Sequence, residues 1–315
     1  MAHLDAYLTE EAIESWLSHL GQDESRGGPD LPARQSNPSA ASLHRLTSSA
    51  RTSSKRDLAT YAELLRDCAD NRNSSAVAER ITSWAGSGSI PGSLQPLACL
   101  SAQTGSIDGL RACLDAGAEI DDLVDKAAFI GLTTVGMLTT LRSYNWRDIQ
   151  SPEGATRLLT VCTTKPIEIM RSLIESGARA SKWNLNAAIT SKQPVEKIRL
   201  LLYEGGAKEG LKDPGILQLA ARHGRADLVD AILEAGAEID AIPAQGDFRE
   251  PGPHQALYEA VKHGHVEVAK LLMERGSDPN VDNGKFYLVE QGTARDCARK
   301  KGDPEMMRIV GVDDQ

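Results

Sequence analysis

Aromatic residues are scarce in this sequence: three Phe, four Trp and six Tyr make up 4% of its 315 residues. A core with so few rings has to be assembled from Leu, Ile, Val and Ala, which suits thin layers of small helices better than one large centre. Long apolar runs are missing too. No segment approaches the roughly 20 apolar residues that span a bilayer, and the amino-terminal MAHLDAYLTEEAIESWLSHL carries acids where a secretory signal carries bases. The five cysteines (Cys68, Cys99, Cys113, Cys162, Cys297) are far apart and never form a CxxC pair. They read as small buried side chains in a reducing compartment, not as disulfides or zinc ligands, so the expected location is cytoplasmic or nuclear. Nor is there an excess of base. The formal net charge of -9 presents a repulsive average field to DNA or RNA. What remains is ordinary for a folded soluble chain, with 41% hydrophobic and 25% charged residues.

Leu4, Tyr7, Leu8, Ile13, Trp16, Leu17 and Leu20 recur at helical spacing and predict a short amphipathic helix within residues 1–20. Residues 21–56 turn to Ser, Pro, Gly, Arg and Asp, the composition of a disordered linker. Helical periodicity returns within 57–92: Leu58, Tyr61, Leu64, Leu65 and Cys68 on one helix, Val77, Ala78, Ile81 and Trp84 on the next, with NRNSS turning the chain between them.

Beyond Gly86 one pattern recurs. IDGLRACLDAGAEID (107–121), IEIMRSLIESGARAS (167–181), ADLVDAILEAGAEID (226–240) and VEVAKLLMERGSDPN (266–280) each place a carboxylate second, apolar residues on one face and Gly at the eleventh place. VEKIRLLLYEGGAKEG, from Val195, carries one extra residue before its Gly-Ala. VGMLTTLRSYN (135–145) has the same face with Asn145 in the Gly place, and Asn is the other residue that tolerates a left-handed helix exit. A shorter helix precedes each, as in ILQLAARHG (216–224), ALYEAVKHG (256–264) and LACLSAQTG (97–105). The unit is a short helix, a Gly turn, a longer helix and a Gly exit.

These units resemble ankyrin repeats, whose pattern is TPLHLAA, two variable residues, GHxEVVxLLLxxGA and a hairpin. Gly215–Asp240 and Gln255–Asn280 match best, with Gly264, His265, Val266, Glu267 and Val268 almost letter for letter. TARDCARKKGDPEMMRIV (293–310) resembles the family's closing repeat. The resemblance implies an all-α solenoid of stacked helix pairs with hairpin loops over residues 93–310, about seven units including divergent ones, followed by a 311–315 tail. Residues 57–92 read as a capping helix pair; their likeness to one pentatricopeptide unit is weaker, because a single unit cannot read RNA. No unit has the full TPLH tetrapeptide, which in the family ties the turn to its neighbour.

No catalytic pattern stands out, and no cofactor is expected. GSGSIPGS (86–93) lacks the ending that holds phosphates, there is no GxSxG, and His263 and His265, with Glu259 and Glu267 nearby, read as turn vocabulary in preference to a metal site. RQSNPSAASLHR (34–45) has the offsets of a leucine-zipper basic region, leaving a DNA-contacting regulator as the alternative, although Pro38 would break that helix. The expected function is a non-catalytic scaffold or adaptor that binds another protein. Large rings at hairpin tips are the best markers of such a surface. The candidate contacts are Trp146 and Trp183, with Asp247, Phe248 and Arg249 in the insertion 241–254 and Lys285, Phe286 and Tyr287 in the insertion 281–292.

Overall fold

A computed structural model describes residues 55–69, 74–87, 94–212, 214–242, 254–286, 289–290 and 292–312. The expected helix within 1–20, most of the linker and the 34–45 stretch lie outside the described residues. The chain divides into two compact units, Met1–Trp146 and Arg147–Gln315.

The described part of the first unit consists of three helix pairs: α1 (Lys55–Ala69) with α2 (Ser74–Ser87), α3 (Leu94–Thr104) with α4 (Ile107–Asp115), and α5 (Asp122–Ile130) with α6 (Val135–Ser143). Helix α1 opens at Lys55, two residues inside the expected linker. Leading helices pack on leading helices and trailing on trailing, α1 on α3 on α5 and α2 on α4 on α6. Tyr61, Leu64, Ile81, Leu97, Leu110, Met137, Leu138 and Leu141 are wholly interior. Where α3 passes the end of α5, a Cβ on Gly131 would sit 1.8 Å from the Ala102 carbonyl oxygen, so no larger residue fits that crossing.

The second unit repeats the plan with α7 (Pro152–Val161) and α8 (Ile167–Glu175), α9 (Lys182–Thr190) and α10 (Val195–Arg199), α11 (Ile216–Arg222) and α12 (Ala226–Glu234), α13 (Ala256–His263) and α14 (Val266–Glu274), and α15 (Ala294–Lys301) and α16 (Pro304–Ile309). A short antiparallel ribbon, β1 (Lys285–Phe286) with β2 (Val289–Glu290), stands between α14 and α15. The core is aliphatic: Leu159, Ile169, Leu173, Leu185, Ile189, Ile198, Leu201, Leu228, Ile232, Leu257, Val261 and Leu272 are buried. Fully burying each such side chain contributes roughly 1.5–3 kcal/mol, and no pair could do so without its neighbours.

The trailing helices from α4 to α14 leave through a left-handed residue. Gly117, Gly177, Gly206, Gly236 and Gly276 have φ of 98°, 94°, 80°, 97° and 90°, and Asn145 takes the same role at 55°. The extra residue after Val195 has a local solution: Leu200–Glu204 forms a π turn that continues α10. Gly205 N donates to Leu200 O at 2.9 Å, one residue further back than an α-helix allows.

A second regularity lies in the turns within the pairs. In the second unit, a side chain beside the turn of each of the last four pairs reaches back to carbonyls of the preceding pair. Lys197 Nζ donates to Thr163 O (3.1 Å) and Lys165 O (2.6 Å), as well as to Gln193 Oε1 (2.7 Å). Arg225 donates to Gln193 O (3.1 Å), His265 Nε2 to Arg222 O (2.8 Å), and Lys301 Nζ, at the end of α15, to Val261 O (3.3 Å) and Lys262 O (2.8 Å). The acceptors lie in the turns or in the last helical turn before them, where the regular ladder of intrahelical donors runs out.

All five cysteines are buried free thiols. Burial pushes Cys68 and Cys162 up to about 11 and Cys99 to about 12, and the thiolate is the reactive form. A thiol-specific dye at pH 8 should therefore label the native chain over hours and the guanidinium-unfolded chain within minutes. Rapid native labelling would contradict this packing.

Candidate functional site

The sequence-predicted contact residues fare differently. Trp183, second residue of α9, keeps 74% of its surface exposed. Trp146 is a correction: its ring is 2% exposed, and its indole N–H donates to Asp125 Oδ1 at 2.7 Å. It directly follows the left-handed Asn145 and heads the turn Trp146–Asp148, so it is an interior group and not a tip. Asp247, Phe248, Arg249 and Tyr287 lie outside the described residues. Lys285 and Phe286 form β1, opposite Glu290 and Val289 respectively.

Both insertions are tied at their bases to the 255–280 unit. Gln255 Nε2 donates to Asp240 Oδ1 (2.6 Å), Asp278 O (2.8 Å) and Ser277 Oγ (3.1 Å), while Asp240 accepts from Ser277 Oγ (2.6 Å) and Asp278 N (3.0 Å). Gln255 N donates to Asn283 Oδ1 at 2.6 Å, and Asn283 in turn bonds Gly292 O from both its backbone and side-chain nitrogens. Glutamines thus carry the turn-to-neighbour tie that the missing TPLH would provide. Gln95 Nε2 bonds Glu119 O (3.0 Å) and Gln218 Nε2 bonds Ala241 O (2.6 Å), each 23 or 24 residues ahead, like Gln255 to Asp278.

Beneath this platform His254 and Glu259 form a buried pair. Nδ1 lies 2.5 Å from Oε1, with side chains 2% and 4% exposed, and Tyr258 stacks on the His254 ring with centroids 4.6 Å apart. The second Glu259 oxygen faces His263 Nε2 at 3.3 Å. Burial alone would push the Glu259 carboxyl up. The hydrogen bond and charge of His254 outweigh it, aided by Lys262 and Arg222, and hold it below the ordinary carboxylate value. Among the described residues no group of three His, Cys, Asp or Glu is placed to hold a metal ion, and no helix is long and apolar enough to cross a membrane.

The turns that close α9, α11, α13 and α15 carry basic side chains. Lys192, His223, His263 and Lys301 are exposed, and Arg222, Lys262 and His265 half-buried. Lys192 is unusual in its backbone. At the corresponding turn Gly224, Gly264 and Gly302 have φ of 68°, 78° and 66°, and Lys192 adopts 56°, a conformation that costs a residue with a Cβ roughly 1–2 kcal/mol. Sequence reading missed this row because its members lie 30 to 40 residues apart; the signal available was the basic residue beside each turn.

Residues 185–283 match the family model described as ankyrin repeats (3 copies). An ankyrin repeat-containing protein of Treponema pallidum (strain Nichols) is 32% identical over 123 residues, covering 38% of this chain and 39% of that relative. The chain therefore aligns with about two fifths of the relative's length.

Proposed function

We propose that this chain, whose residues 185–283 are ankyrin repeats, acts as a non-catalytic scaffold that binds another protein through its leading-helix face and the two insertions beside the 255–280 unit. The observation that carries the reading is Trp183. A ring exposed over 74% of its surface has no interior role, yet it is held on a regular helix whose register is fixed by buried Leu185, Ala188 and Ile189. Large, rigid rings of this kind anchor protein interfaces. The insertions complement it, since the Gln255 network holds their bases rigid while 241–254 and 281–292 contribute Asp247, Phe248, Arg249, Lys285, Phe286 and Tyr287.

The test is affinity enrichment by the full chain, followed by the same experiment with Trp183→Ala, Phe248→Ala and Phe286→Ala. At least one variant should lose tenfold or more of the enriched partner while its circular dichroism melt stays within a degree or two. Full retention by all three overturns the proposal.

A further inference from the structure

The cationic turns of the second unit are continuous enough to define what they bind. Lys192, Arg222 and His265 all act on His223, and Arg222, Lys262 and His265 on His263. The His263 and His265 rings stack with centroids 6.2 Å apart, His265 bonds the Arg222 carbonyl, and Lys301 bonds those of Val261 and Lys262. The row therefore runs without a break from the α9 turn to the end of α15. Its acidic neighbours are buried Glu259 and the exposed second residues of the trailing helices, Glu196, Asp227 and Glu267; Arg225 holds Asp227 through two contacts of 2.8 and 2.6 Å, and Glu267 lies 3.3 Å from Lys270 Nζ, on its own helix. A chain of net charge -9 thus gathers basic side chains along one line.

We propose that this row docks an extended acidic segment of a partner protein, with one carboxylate to each turn. The inference rests on the protein-binding reading above and specifies its partner. Neighbouring packed helices lie about 8–10 Å apart and an extended chain advances about 3.3 Å per residue, so acids at roughly every third residue would meet successive turns. A segment of about ten residues would span Lys192 to Lys301. Nucleic acid also carries regular negative charge, but the chain's overall charge opposes a long polyanion, whereas a short segment meets only the local cations.

Lys192 supplies an independent reason. The other turns of the row use Gly, and a lysine held left-handed in their place keeps a charge where the backbone would favour none. Strain retained at one member of a cationic row points to a ligand, because glycine would relieve it.

The histidines add a pH dependence. Burial, then Arg222 and Lys192, then His265 hold His223 below the ordinary histidine value. His263 is held down by burial, with Arg222, Lys262 and His265 adding to it and Glu259 opposing. A docked carboxylate favours the protonated ring, so the complex takes up protons and tightens as pH falls from 7.5 toward 6.

The probe is a fluorescein-labelled ten-residue peptide with Glu at every third position and Gly between, titrated by anisotropy against the full chain at low salt. Lys192→Gly combined with Arg222→Gln and Lys262→Gln should weaken binding tenfold or more. Lys192→Gly alone should weaken it several-fold while melting about 2–4 °C higher, since strain leaves with the charge. His223→Gln with His263→Gln should flatten the pH dependence. Equal affinity of the triple variant, unchanged binding by Lys192→Gly, or stronger binding of a single-stranded oligonucleotide of equal charge overturns the inference. If the triple variant still enriches the wild-type partner, this docking row fails and the scaffold reading stands. If the wild-type chain enriches no partner, the scaffold reading itself fails.

Discussion

Glu259→Ala should lower the stability of the chain by about 3–5 kcal/mol, because it leaves His254 buried without its partner and opens a cavity beneath Tyr258. Urea unfolding monitored by helical circular dichroism measures the change as a lower midpoint. Glu259→Gln, which keeps the shape and an acceptor for Nδ1, should lose less than half as much. A loss under 1 kcal/mol for Glu259→Ala would mean that the pair contributes nothing to folding. The sign of the pH effect follows from the depressed carboxyl. In the unfolded chain Glu259 titrates near 4.5, and in the folded chain it titrates lower. Its contribution is complete above pH 4.5 and is lost as pH falls through the folded value. Wild type should therefore lose stability more steeply than Glu259→Gln as pH falls below 4.5.

Lys197→Met should cost about 2–4 kcal/mol, the second largest effect. Lys197 is 7% exposed, and its ammonium satisfies two backbone carbonyls and the Gln193 side chain at once. Burial lowers its affinity for the proton, and nearby Glu168 works the other way. Methionine fills the same volume, so the loss comes from the stranded carbonyls of Thr163 and Lys165, each worth roughly 1–3 kcal/mol when buried without a donor. Arg225→Met, made at a more exposed rung, should cost less, and the comparison isolates burial from hydrogen bonding. Equal stability of Lys197→Met and wild type would remove any energetic role for the rung.

The repeat plan was legible where one residue type has one physical reason to stand at a position. Glycine at a left-handed exit is such a case, and Asn145 follows the same rule. The surplus residue after Val195 was visible in the sequence, but not its outcome, since an extra residue can bulge outward or be absorbed as the π turn that Leu200–Glu204 adopts. The glutamine ties were not legible, because Gln95, Gln218 and Gln255 find partners more than twenty residues away through loops whose paths the sequence leaves open. Trp146 shows the same limit for the site. A ring after a helix exit projects or turns inward according to whether the preceding pair offers an acceptor, and here Asp125 does. The exposure of Trp183 was legible because its helix is regular and its register is fixed by buried Leu185, Ala188 and Ile189.

The rungs from Lys197, Arg225, His265 and Lys301 all point one way, from a later pair to carbonyls of an earlier one. A ribosome makes the acceptors first. The α7–α8 turn can emerge with Thr163 and Lys165 in place, but its carbonyls wait for Lys197, synthesised more than thirty residues later. Each pair is therefore completed only as the next one leaves the exit tunnel, so folding during synthesis follows translation with a lag of one repeat. A nascent chain stalled with Lys197 still inside the tunnel leaves the Thr163 and Lys165 carbonyls without that donor, and one stalled after Lys197 has emerged has them satisfied.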